Sequence, residues 1–253
     1  MTPFSIGMLV FASTFGGALA GIALRARLPS HHLDDGSQAT VNLGIGLIAT
    51  MTALVLGLVT ASAKNSFDVL DSAVKQTAAD VMTLDRTLAR YGPESAVART
   101  ALHDAVAVAI QRTWPEAMNL ESDLSVASAT RGGEGVASRI RALPVQNEDQ
   151  SWLKTHAEVL AEKLLEARWV VVGSIGTSVP VPFLVVLVFW LVVIFVSFGL
   201  FAPRNGTVIS ILLVCALSVA SAIFLILEMD GPFTGLIQIS PDPLYYALDR
   251  INQ

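Results

Sequence analysis

The stretch from Val41 to Ala63, VNLGIGLIATMTALVLGLVTASA, decides the fold. It carries no charge over a length that suits the roughly 20 apolar residues of a membrane-spanning helix. Lys64 closes the run, but the helical pattern continues. Phe67, Leu70, Val74, Thr77, Val81, Leu84, Leu88 and Tyr91 follow at alternating spacings of three and four, and only Thr77 breaks this apolar seam. No Gly or Pro interrupts Lys64 to Tyr91. The spacing therefore predicts one helix that leaves the membrane and extends for about 40 Å, at 1.5 Å per residue. Gly92-Pro93 stops it, with Pro93 placed to open the next helix.

Three further apolar runs lie outward from this one. Pro3 to Leu24 is closed by Arg25 and Arg27, Val179 to Phe201 by Pro203 and Arg204, and Thr207 to Leu227 by Glu228 and Asp230. In the first run the basic residues follow the apolar core, so it reads as a retained helix and not a cleaved signal peptide. Its Gly16, Gly17 and Gly21 offer a small face for close packing. Only Ala202 to Gly206 joins the last two spans, which must be antiparallel. Composition agrees: 53% of the 253 residues are hydrophobic and 15% charged, against about 25% charged in soluble domains. The net charge of −5 is thinly spread and no basic block occurs, which excludes a nucleic-acid footprint. The lone Cys215 excludes an intramolecular disulfide and a CxxC metal site.

The fold class is thus all-α: an integral membrane protein with four transmembrane helices and an extramembrane antiparallel helical bundle between the second and third. Residues 1–63 hold spans one and two, 64–178 the bundle, 179–229 spans three and four, and 230–253 an interfacial C-terminal segment. Within the bundle, Glu94 to Thr113 reads as a helix ending at Trp114-Pro115. Arg131 to Gly135 reads as a loop, and Asp149 to Val172 as a helix with Leu153, Ala157, Leu160, Leu164 and Ala167 on one face. Gly173 to Pro182 is a hinge. The apolar residues of Asp230 to Pro243 predict a segment that folds back on the bundle or lies at the interface, before a short helix from Leu244 to Ile251. Four spans place both termini and the bundle on one side. Arg25, Arg27 and Arg204 in the short loops oppose Lys64, Lys75, Lys163, Arg168 and Arg250 on the bundle side, so the positive-inside rule does not set the orientation.

Two groups of residues carry candidate chemistry. Asn42, Gly46, Ala49, Ala53, Gly57, Thr60 and Lys64 share one face of the second span. Such a stripe fits a pore wall, where small residues leave room and Asn or Thr contacts an ion, and it equally fits a tight helix-helix interface. Leu54 and Leu58 are candidates for an apolar constriction. Lys64, Asp68, Glu228 and Asp230 form the second group, because the topology brings the ends of spans two and four to one membrane level. They fit an ion-selecting or gating ring, or a salt bridge between the helices. His31-His32 beside Asp34 and Asp35 reads as a solvated loop and not a metal site. His103 and His156 stand singly on helices. No nucleophile-base arrangement occurs, and Gly132-Gly133 lacks the Lys-Ser/Thr of a phosphate loop. The expectation is a protein that is not an enzyme and needs no cofactor.

Leu54-Val-Leu-Gly-Leu-Val-Thr-Ala-Ser-Ala-Lys64-Asn-Ser-Phe-Asp68, Leu84-Asp85-Arg86-Thr-Leu-Ala-Arg-Tyr-Gly-Pro-Glu94 and Met229-Asp-Gly-Pro-Phe-Thr-Gly-Leu-Ile-Gln-Ile-Ser-Pro241 resemble the bacterial bestrophin-like domain family over nearly the whole chain. Like bestrophins, the chain places an acidic residue and Pro-Phe just after the fourth span: Glu228, Asp230, Pro232 and Phe233. The resemblance implies a homo-oligomeric channel, pentameric in bestrophins, for small inorganic ions in the bacterial inner membrane. Its second span would line the pore and its bundle would be cytoplasmic. Partners are then the lipid bilayer, further copies of the chain and the ions. The full acidic cluster that binds calcium in animal bestrophins is missing, since nothing acidic follows Asp230 until Asp242. A membrane-anchored helical scaffold or sensor that binds a partner protein is the alternative. A secondary transporter fits less well, as no internal repeat is evident.

Overall fold

The computed structural model describes residues 2–29, 34–114, 135–174 and 181–251, with backbone alone for 168–174. The His31-His32 pair, the loop residues before Gly135 and most of the Gly173 to Pro182 hinge lie outside the described residues. Every regular element described is helical. The α-helices are α1 (Pro3–Arg25), α2 (Asp35–Tyr91), α3 (Ala96–Thr113), α4 (described over 135–141), α5 (Glu148–Ser174), α6 (Val181–Phe201), α7 (Gly206–Asp230) and α8 (Asp242–Arg250). Helices α1, α2, α6 and α7 are long and apolar enough to cross a membrane.

The boundaries follow local chemistry. Thr2 caps α1 by accepting from the Ser5 N–H, ahead of Pro3. Asn205 does the same for α7 through the Val208 N–H at 2.9 Å. α2 runs unbroken for 57 residues and stops at Gly92, whose φ of 123° is open to glycine and strained for other residues. A 3₁₀ turn, Pro93–Ser95, then starts α3. Trp114 ends α3 with φ −127° and ψ 75°, outside the helical region that a following proline disfavours.

The chain divides into two compact units. The first comprises residues 1–66 and 177–231. Here α1 packs on both α6 and α7. Gly17 lies against Val192 and Val196, and Gly21 against Val196 and Leu200, so α1 and α6 run parallel. Gly7 meets Ala220 and Phe224, while Ala18 packs with Leu212 and Ala216, so α7 runs antiparallel to α1. The helices approach so closely that a Cβ on Gly21 would sit 2.1 Å from the Val196 carbonyl oxygen, and one on Gly199 would sit 2.0 Å from that of Ala18. Gly16, by contrast, faces open space. The Arg25 guanidinium donates to the carbonyls of Phe201 and Ala202, and Arg204 donates to that of Ile22 at 3.0 Å. These arginines thus satisfy carbonyls near the ends of α6 and α1.

The second unit comprises residues 67–176 and 232–253. Its core takes Leu70, Val74, Val81, Leu84, Leu88 and Tyr91 from α2, Leu102, Val106 and Ile110 from α3, Ile140 from α4, and Ala157 and Leu160 from α5. The seam read from the spacing is thus the buried face, with Ala78 buried beside the half-buried Thr77. The C-terminal segment enters the same core through Ile239, Leu244, Ala247 and Ile251. Trp114 fixes it there: the indole N–H donates to the Ile239 carbonyl at 2.8 Å, and the ring meets Phe233 edge-on at 5.3 Å. Asp85 and Glu228 are the only charged side chains buried among the described residues. Asp85 accepts from Nε and Nη2 of Arg99 at 2.7 and 3.0 Å, tying α2 to α3. The hydrogen bond to Asp85 raises the Arg99 pKa further, so this guanidinium is charged at every accessible pH.

Candidate pore helix and its charged end

Helix α2 within the first unit has one packed side and a wide exposed one. Thr52, Val59 and Ala63 are buried and Val55 and Leu56 half-buried, and Val55 and Leu56 pack in a cluster with Val10 of α1, Leu187 of α6 and Ile223 of α7. Val59 and Ala63 pack with Ile226 and Met229, so α2 and α7 run parallel there and Lys64 lies at the level of Glu228 and Asp230.

The small and polar stripe lies off that packed side. Asn42, Gly46, Ala53, Gly57, Thr60 and Lys64 are exposed, and Ala49 is half-buried. A Cβ added at Gly46 or Gly57 would meet nothing within 4 Å. The neighbouring helices of the same chain therefore do not use the stripe as their interface. Thr60 turns its hydroxyl back to the Leu56 carbonyl at 2.7 Å, which leaves the oxygen lone pairs as acceptors.

Leu54 and Leu58 are exposed by 69% and 65%. Each directly follows a stripe residue, Ala53 and Gly57, and so projects about 100° further round the helix. With Leu43 and Leu47, also exposed, they make a separate apolar flank. The stripe and these leucines thus lie on adjacent faces of α2.

The charged group is distributed between the two units. Lys64 is exposed at the end of the stripe, Glu228 is buried in α7 and Asp230 is half-buried, all in the first unit. Asp68 is exposed on α2 in the second unit. Each of these four side chains has an interaction of its own. Pro232 and Phe233 belong to the second unit. Pro232 is buried and its carbonyl accepts from the Ile239 N–H at 2.8 Å, while Phe233 is held by Trp114. Sequence reasoning missed Trp114 as the anchor of this Pro-Phe turn. Its signal was a tryptophan placed just before Pro115. No group of three or more His, Cys, Asp or Glu that could hold a metal occurs among the described residues.

The family model for the bestrophin-like domain matches residues 12–244. The chain belongs to the bestrophin-like family. No curated protein and no solved structure matches it. With four apolar helices of spanning length, this bestrophin-like protein is a multi-pass membrane protein, and the bestrophins from which its family takes its name are ion channels.

Proposed function

We propose that this bestrophin-like protein is a homo-oligomeric ion channel, with a pentamer as the assembly its family favours, and that α2 from each subunit walls a central pore for small inorganic ions. One observation carries this reading. The small and polar stripe from Asn42 to Lys64 is uncovered within the protomer, on a helix apolar enough to span the bilayer. Lipid is a poor neighbour for Asn, Thr and Lys, and such residues face a bundle interior or a water-filled cavity. The stripe is then the pore surface, and the flank of Leu54 and Leu58 packs against the adjoining subunit's α2. Lys64, with Glu228 and Asp230 at its level, sets the charge at one pore end, and Asp68 follows one turn beyond. The second unit, with both termini, stands on the cytoplasmic side of the inner membrane.

Ion flux through liposomes containing the purified protein tests this. The wild type is expected to conduct, and Lys64→Ala and Glu228→Ala are each expected to change the anion-to-cation preference several-fold, in opposite directions. A well-folded oligomer that passes no ion under any salt gradient or voltage would refute the channel and leave the scaffold.

A further inference from the structure

The second unit holds a cavity of about 350 Å³ whose wall carries Asp85, Arg86, Arg99, Tyr246, Arg250 and Ile251. A volume of that size sits at the lower end of small-molecule sites. Three guanidiniums line it in a chain whose net charge is −5. How they are held matters more than their number. Asp85 is 6% exposed and grips Arg99 through Nε and Nη2. That uses two of the five N–H donors and fixes the plane of the fork, leaving Nη1 uncommitted. Arg250 lies over the Tyr246 ring at 5.0 Å, a cation-π contact that restrains the side chain. Arg86 is one residue beyond Asp85 on α2 and is exposed at the rim. Among the described residues Asp85 is the one carboxylate on the wall, and it is paired with Arg99, so the described lining carries more guanidinium than carboxylate charge.

From this geometry we infer that the cavity is a regulatory site for a small phosphate-bearing ligand, gripped by Arg86, Arg99 and Arg250. Guanidinium forks match tetrahedral oxyanions in shape and charge, and a phosphate dianion balances the excess. The lining also includes the apolar Met82, Ala89, Ala247 and Ile251, which accept the ligand's carbon skeleton. The cavity joins α2, which carries the proposed pore stripe, to α8 of the C-terminal segment. Occupancy would therefore clamp the C-terminal segment onto the helix bundle. The site does not depend on the pore assignment.

Titration calorimetry on the full chain tests it, with inorganic pyrophosphate as probe. One set of samples is in phosphatidylcholine nanodiscs and a second contains phosphatidylglycerol as well. Saturable binding is expected, with affinity reduced roughly ten-fold or more by Arg86→Ala and by Arg250→Ala. Arg90→Ala, one turn from Arg86 and off the cavity wall, should leave it unchanged. Arg86 and Arg250 are exposed, and thermal melts of the variants serve as the folding control. Equal affinity in the two nanodiscs identifies a soluble ligand, and competition by phosphatidylglycerol identifies a lipid headgroup at the same site. Absence of binding at millimolar pyrophosphate, or binding indifferent to both substitutions, would overturn the proposal.

Discussion

Gly21→Leu is expected to destroy the packing of the transmembrane unit. At Gly21 even a Cβ would stand 2.1 Å from the Val196 carbonyl oxygen and 2.9 Å from the Leu200 nitrogen. These are backbone atoms of α6, which cannot swing aside as a flexible side chain does. Accommodation requires α1 and α6 to separate, and that opens the contacts of Gly17 with Val192 and Val196 nearby. The cost lies at or beyond the upper end of the roughly 1–3 kcal/mol usual for overpacking. Gly199→Leu attacks the same crossing from the other helix, since Ala18 blocks it at 2.0 Å. Thermal melting and size exclusion in detergent should show both variants unfolded or aggregated. Gly16→Ala, placed in open space, supplies the internal comparison and should melt like the wild type or slightly higher, because alanine favours the helix. A Gly21→Leu protein as stable as the Gly16→Ala one would contradict the α1–α6 packing.

Trp114→Ala should be nearly as damaging to the second unit. The indole is 3% exposed, and its removal costs about 3–5 kcal/mol in a core. The loss also deprives the buried Ile239 carbonyl of its donor and Phe233 of its edge-on partner. Trp114→Phe separates these effects. It retains most of the packing and loses the hydrogen bond, so the expected loss is about 1–3 kcal/mol. Denaturant unfolding followed by limited proteolysis gives the readout. Cleavage between Thr234 and Ser240 should become fast in Trp114→Ala, intermediate in Trp114→Phe and slow in wild type. Equal cleavage rates in all three would mean that Trp114 does not hold the C-terminal segment.

The spans were legible in the sequence because a charge-free run of about 20 residues matches the bilayer's hydrocarbon thickness and is longer than buried core helices usually carry. The α2 seam was legible for a similar reason: Leu70 to Tyr91 repeat a spacing that only one helical face satisfies. Other features depend on partners distant in sequence. Gly21 announced a close approach, but Gly199 as its reciprocal appears only when α1 and α6 are side by side. Phe233 was read through the resemblance, as the Pro-Phe that follows the fourth span, whereas its neighbour in space is Trp114. The arginine cavity was invisible for the same reason, since Arg86, Arg99 and Arg250 come from three helices. The stripe itself was plain in the sequence. What covers it in the assembly was not, because one helical face reads alike whether it meets water or a neighbour.

Cysteine accessibility along α2 addresses the pore claim most directly. The exposed Cys215 is first replaced by serine. Single cysteines then go in at Gly57, Thr60, Leu54 and Leu58, and liposome flux is followed as a charged, membrane-impermeant thiol reagent is added. Modification is expected to block flux at Gly57→Cys and Thr60→Cys and to leave Leu54→Cys and Leu58→Cys conducting. Block confined to the leucine positions, or to none of the four, would contradict a pore walled by the Asn42 to Lys64 stripe.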